Sequence, residues 1–276
     1  MSDPWPRISV ITPSFNQARF LALTLRSVLD QRYPNLEYRV MDGGSRDGTV
    51  DLLRQHDAQL AGWVSEPDRG QAHAFNKGLA LATGELIGWV NSDDVYLNRN
   101  LFAAAAYFRA HPEVDIVFTD YLYIDAGDRV LKRRREIPFD YPTYLWSGDC
   151  YHANCAGFFR RRVFDRIGPL DEQLHYSMDY EFYLRAARAG LRFGHLHAYW
   201  AAYRLHDASK SVSQLDKMQA EGRAMLARYR PAGGAPARTA LLTRWYQTRR
   251  LLAKLAAGSY LPARLPATVQ EWMATP

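Results

Sequence analysis

Short β-branched runs alternate with amphipathic stretches through the first hundred residues. Ile8-Ser9-Val10-Ile11-Thr12 is compact and apolar and predicts a buried strand. Over 18–31, Leu21, Leu25, Val28 and Leu29 recur at helical spacing. A second strand is expected over 36–41, closed by Asp42-Gly43-Gly44-Ser45, with a helix from about Thr49. Residues 62–65 predict a third strand and 70–82 a helix; 86–90 predict a fourth strand that runs into Asn91-Ser92-Asp93-Asp94. This rhythm implies an α/β domain, a Rossmann-like, mostly parallel sheet covered by helices on both faces.

The second half is less regular. Residues 114–120 and 154–159 suit strands, 129–135 a basic hairpin-like run, and 160–167 a short helix stopped by Gly168-Pro169. A helix over 178–190 carries Leu184 and Ala187 on its apolar side and stops at Gly190. The linker Pro231-Ala232-Gly233-Gly234-Ala235-Pro236 precedes a final helix over 238–257. On it Leu241, Trp245, Leu252 and Leu255 share a face, Arg250 and Lys254 lie opposite, and Arg244 and Arg249 flank. The expected division is a domain over 1–212 and a helical, basic region over 213–276.

Charge refines this picture. The 276 residues carry a formal charge of +6, but residues 215–276 alone hold ten Lys/Arg against three Asp/Glu. A uniformly basic nucleic-acid binder is therefore not indicated, and no nucleic-acid partner is expected. The final helix suits an anionic bilayer surface, and equally a packed helix against the domain or a second subunit. No uncharged run approaches the ~20 residues of a membrane span. Two cysteines make no disulfide framework, and residues 1–7 hold no basic-then-apolar leader. A cytoplasmic protein, peripheral to the inner membrane at most, is the expectation.

Ligands of such sheets sit beyond the carboxyl ends of the strands, and three of the four ends here are polar. Asp42 could accept from a ring N–H of a base or only stabilise its own turn. Asp68, Gln71 and Lys77 surround the third end, where Lys77 suits either a phosphate or solvent. Asp93 and Asp94 are carboxylates of the kind that hold a hard divalent ion, or a helix-capping cluster. Trp89 and residues 144–146 could stack on a ligand face, although such aromatics are commonly core. Cys150, His152 and Cys155 lack a second paired ligand set, which argues against zinc.

Five segments in order, residues 8–16 (ISVITPSFN), 41–49 (MDGGSRDGT), 66–78 (EPDRGQAHAFNKG), 82–94 (ATGELIGWVNSDD) and 179–185 (DYEFYLR), resemble the family 2 glycosyltransferases with the GT-A fold. Arg204-Leu205-His206 with Ser209 and Ser211 matches a further family pattern, so the resemblance covers about residues 6–212. It is nearest to bacterial enzymes of surface-polysaccharide synthesis, of the O-antigen and capsule kind. It implies an inverting, Mn²⁺- or Mg²⁺-dependent transfer of one sugar from a nucleotide diphosphate, commonly UDP, to a lipid-linked saccharide. The processive relatives' Gln-x-x-Arg-Trp motif is absent from the sequence. By resemblance, Thr12, Pro13, Phe15, Asn16, Asp42, Asp68, Gln71, Lys77, Asn91, Ser92, Asp94 and Arg204 bind the nucleotide sugar. Asp93 and His206 hold the metal, and Asp179 is the base, with Glu181 its local competitor. Asn91 stands where the family often has Asp, and Met178 where it commonly has Glu. The first departure makes a nucleotide-sugar-binding protein without catalysis the alternative.

Overall fold

The computed structural model describes residues 5–97, 99–209, 213–232, 235–261 and 265–273. Four parallel strands come first: β1 (Ile8–Ser14), β2 (Leu36–Asp42), β3 (Gly62–Ser65) and β4 (Leu86–Trp89), side by side as β3-β2-β1-β4. Helices α1 (Ala18–Leu29), α2 (Thr49–Gln55) and α3 (Gln71–Leu81) connect them. Alternate residues of β1 serve opposite faces: Ile8 and Val10 join the core of Leu21 and Leu25, while Ile11 joins that of Phe75 and Leu79. A Cβ on Gly78 would come within 2.6 Å of Ile11 Cγ2, so this glycine lets α3 lie close against β1.

After β4 the sheet becomes mixed. The elements are β5 (Val95–Tyr96), α4 (Asn100–Ala110), β6 (Ile116–Ile124), β7 (Val130–Arg134), α5 (Tyr141–Ser147), β8 (Gly157–Arg160), α6 (Arg161–Ile167), α7 (Met178–Arg188) and β9 (Phe193–Arg204). The order continues β4-β8-β6-β9-β5, with β7 on the side of β6. β8 runs antiparallel to β4 and β6, whereas β9 is parallel to β6. The α/β expectation holds, and the parallel sheet read from the sequence is its first half. The strand expected over 154–159 begins only at Gly157, because 154–156 form a 3₁₀ turn.

Among the described residues three helices follow: α8 (Leu215–Tyr229), α9 (Pro236–Ala256) and α10 (Val269–Met273). Ser211, Val212, Gly233 and Gly234 lie outside the described residues, and with them the expected boundary and the middle of the linker. The helices do not stand apart. Glu221 of α8 accepts the backbone N–H groups of His175, Tyr176 and Ser177, just ahead of α7. α9 lies on α5 with its basic face inward, the reverse of a membrane-facing arrangement of those charges. Arg250 and Lys254 bind the fully buried Glu136, and Arg249 binds Asp140. Leu241, Trp245, Leu252 and Leu255 point outward, each more than half exposed. Three of the four cations expected to face an anionic surface, Arg249, Arg250 and Lys254, are thus committed to the protein itself, while Arg244 is exposed.

Candidate functional site

Pro13 and Ser14 at the end of β1, with Phe15 and Gln17 just past it, wall a cavity of about 340 Å³. Asp68, Gly70 and Gln71 at the start of α3 and the 91–94 turn after β4 close it. Phe15 is 58% exposed and offers its ring to a planar ligand. Asn16 takes a positive φ of 51°, held by Ser45 Oγ on its N–H and by Arg46 N–H on its side-chain oxygen. Gly43 leaves room for this wall, since a Cβ there would lie 2.6 Å from Asp68 Oδ2 and 3.2 Å from Phe15.

Two residues assigned to the nucleotide lie beneath the cavity. Thr12 is fully buried, its hydroxyl 3.0 Å from that of Tyr38. Asp42 is also fully buried and closes its own turn: Oδ2 accepts from the N–H groups of Gly44 and Ser45 and from Ser65 Oγ, and Oδ1 from Ser45 Oγ. A carboxylate with four donors is held as a turn former, and Asp42 does not line the cavity. Lys77 does not line the cavity either, and its ammonium meets Glu66 at 3.1 Å.

The 91–94 turn is held from below. Asn91 Oδ1 accepts from Gln71, Trp89 and Asn154, and its amide donates to Asp94 Oδ2 at 3.1 Å. Asp94, 1% exposed, also accepts the Arg204 N–H at 3.0 Å; burial, then the charge of Asp93, pushes its pKa well up. Arg204 is equally buried, and its guanidinium donates to the carbonyls of Asp93 and Asp125 and meets Asp128. It bolts the turn in place and lines neither this cavity nor its neighbour. Asp93 remains presented to the cavity, its Oδ2 3.0 Å from His206 Nε2. The Phe20 ring, 4.6 Å from the imidazole, sets its orientation. One carboxylate and one imidazole side by side form a donor pair suited to a divalent ion.

A larger cavity of about 740 Å³ adjoins, bordered by Asp179, Tyr180, Asp149, Cys150, Asn154 and Tyr176. Helices α8 and α9 add Met218, Arg223, Leu226, Thr243 and Gln247, and Arg230 joins them just past α8. Tyr203 borders both cavities, and Tyr176 OH donates to Gln214, a residue of the smaller one. Asp179 lies in the first turn of α7, where its Oδ1 accepts the Tyr180 N–H at 2.7 Å. Glu181 is turned away: Arg185 grips it through Nε at 3.0 Å and Nη2 at 3.0 Å, and Tyr229 OH donates to it. Of the two carboxylates, Asp179 is the one that borders the cavity.

Trp89 and Tyr144 are core residues, 1% and 0% exposed. Both ring nitrogens of His152 are in use, toward Tyr144 OH and the Ile137 carbonyl, which agrees with discarding a cysteine–histidine zinc site. Sequence reasoning missed Tyr203, Gln214 and Asn154. Tyr203 sits directly before the Arg204-Leu205-His206 run, the one signal that could have marked it.

The family model for glycosyl transferase family 2 matches residues 9–168. An uncharacterized glycosyltransferase of Mycobacterium tuberculosis is 36% identical over 185 residues, 66% of this chain and 69% of that one. A PGL/p-HBAD biosynthesis glycosyltransferase of the same organism is 29% identical over 203 residues, 72% and 77% of the two chains. Among solved structures, residues 1–349 of S. aureus TarS in complex with UDP-GlcNAc superpose with a TM-score of 0.66 at 19% identity, over 94% of this chain and 76% of that fragment. The mannosyltransferase PcManGT from Pyrobaculum calidifontis, in complex with GDP-Man and Mn²⁺, gives 0.64 at 24% identity, over 95% and 78%.

Proposed function

Because the chain belongs to glycosyl transferase family 2, we propose that this glycosyltransferase moves one sugar from a nucleotide diphosphate to a hydroxyl of a lipid-linked saccharide, with inversion. The observation that carries the reading is the pair of cavities meeting at Tyr203, one bordered by Asp93 and the other by Asp179. The donor occupies the smaller, its base against Phe15 and its diphosphate toward Asp93. The acceptor occupies the larger. As the bond from the anomeric carbon to the phosphate oxygen breaks, the acceptor oxygen attacks from the opposite face, and Asp179 takes the hydroxyl proton. Glu181 is held by Arg185 and Tyr229 and does not compete.

Asp93 and His206 would hold a divalent ion, which neutralises the charge that develops on the leaving diphosphate. An imidazole in the set favours Mn²⁺ over Mg²⁺, and the PcManGT complex with Mn²⁺ supports that choice. UDP is the first donor base to try, as in the TarS complex, and GDP the second. Asn91 does not weaken the catalytic reading, because its amide serves the turn and leaves the carboxylate of Asp93 in place. In this reading a domain over 1–212 binds the donor, and α8 and α9 of the helical region over 213–276 form the acceptor side. An acceptor on a lipid anchor brings the enzyme to the cytoplasmic face of a membrane. The outward apolar face of α9 supports contact there, while no helix among the described residues is long and apolar enough to cross.

Thermal denaturation against a panel of UDP- and GDP-sugars, with and without Mn²⁺, tests the donor half. A donor at a hundred times its Kd stabilises by about 2.7 kcal/mol. The shift is expected with one base, to grow with Mn²⁺, and to lose that dependence in Asp93→Asn. No shift with any nucleotide sugar in Mn²⁺ would end the proposal.

A further inference from the structure

Strand β9 carries His195-Leu196-His197, and β6 opposes it with Asp120. The parallel ladder pairs Phe118 with His195 and Thr119 with Leu196, then passes over His197 and Ala198 to pair Asp120 with Tyr199. Such bulges re-aim side chains and are concentrated beside functional sites. Beside this bulge both imidazoles meet one carboxylate: His195 Nε2 lies 3.3 Å from Asp120 Oδ1, and His197 Nδ1 lies 3.1 Å from Oδ2. The three ligand atoms fall within 4.8 Å of one another. Asp120 and His195 have side chains 1% and 4% exposed, whereas His197 is 39% exposed, so the group opens to water on one side. Although buried, His195 Nε2 has no hydrogen-bond partner. Its contact with Asp120 is one of proximity without the angle of a bond.

We propose that Asp120, His195 and His197 bind a divalent transition metal of the zinc class, separate from the Asp93–His206 pair. Two imidazoles and a carboxylate with a water in the fourth position form a tetrahedral N/O set that suits Zn²⁺. The Glu136 N–H donates to Asp120 Oδ1 at 3.0 Å and orients that ligand from behind. Arg135 is the competing cation: its Nε is 3.3 Å from His197 Nδ1 and 4.0 Å from Asp120 Oδ2. Its side chain is 30% exposed and long enough to swing into solvent when an ion enters. The ion ties β9 to β6 and, through the backbone of Glu136, to the carboxylate that anchors α9.

Zinc is titrated into the full, tag-free, chelator-stripped protein without nucleotide, against a chromophoric chelator near pH 7.5. One equivalent is expected to bind with sub-micromolar affinity. His197→Ala, at an exposed position that should not disturb folding, is expected to weaken binding by more than about 100-fold, beyond an outer-shell effect. Arg135→Gln should bind as tightly as wild type or more so, and His206→Ala should bind normally. Absence of stoichiometric binding, equal binding by His197→Ala, or loss confined to His206→Ala would overturn the proposal. The last would place the ion in the donor cleft instead, and none of these results depends on transfer activity.

Discussion

Glu136→Gln should loosen the acceptor side of the enzyme while sparing the donor side. Glu136 is fully buried and faces three cations: Arg134 Nε at 2.5 Å, Arg250 Nη2 at 2.9 Å and Lys254 Nζ at 2.8 Å. The substitution keeps the shape and removes the charge, leaving Asp149, whose side chain is 46% exposed, as the partner of Arg134 and Arg250. Removing one partner of a buried ion pair costs about 3–5 kcal/mol. In a chain of this size each kcal/mol moves Tm by about 2–4 °C, so a fall of about 10 °C is expected. Lys254→Met provides the contrast, because Glu136 keeps two arginines and the methylene stem is replaced in kind; it should cost less than about 2 kcal/mol. α9 also carries Thr243 and Gln247 into the larger cavity, Gln247 donating to the Ser147 carbonyl at 3.0 Å. Acceptor KM should therefore rise in Glu136→Gln with donor affinity unchanged. Calorimetry with steady-state kinetics in each substrate reads both effects. A Glu136→Gln melting point within about 2 °C of wild type, or equal losses in the two variants, would refute the reasoning.

Three further outcomes are expected. Glu37 is buried; burial alone would raise its pKa, but hydrogen bonds from Ser9, Thr83 and Arg39 and the charge of Arg39 hold it down to about 2, below its ordinary 4.5. Its stabilisation of about 3 kcal/mol is thus present above pH ~4.5 and lost as pH falls through about 2; acid titrations of stability should show this, and Glu37→Gln should flatten them. His206→Ala should lower Mn²⁺-supported donor affinity by about tenfold or more and leave metal-free affinity unchanged, as calorimetric titration would report. Replacing the exposed Trp245 and Leu252 together by Ser should leave Tm unchanged and reduce vesicle binding by about tenfold or more, with little salt dependence, because Arg249, Arg250 and Lys254 are already paired; unaltered sedimentation with vesicles would remove α9 as the contact.

The first half of the fold was legible because each strand there is a short apolar run and each helix has a repeating apolar face. β9 was not, since its bulges break the alternation. α5 is one capped turn, with Asp140 accepting from the Thr143 N–H, and is too short for periodicity to register. At the site, the motifs located the right turns but not the direction of each side chain. Asp42 and Arg204 stand in the matching motifs, yet both are buried under the floor they support. Asp93 and Asp94 are adjacent and chemically alike, and only the fold shows that Asp94 is the buried one of the pair. On α9 the spacing correctly separated an apolar face from a basic one. What it could not show was that Glu136, a hundred residues earlier, draws the basic face inward.

Single-turnover transfer by Asp179→Asn, measured beside donor affinity, tests the central assignment most directly. The substitution is nearly isosteric and keeps the first turn of α7, so it removes proton acceptance and little else. Transfer should fall by roughly 10²–10⁴, the range for losing a general base, while donor affinity stays within a few-fold of wild type. Near-normal transfer by Asp179→Asn, with collapse in Glu181→Gln at unchanged stability, would contradict the account.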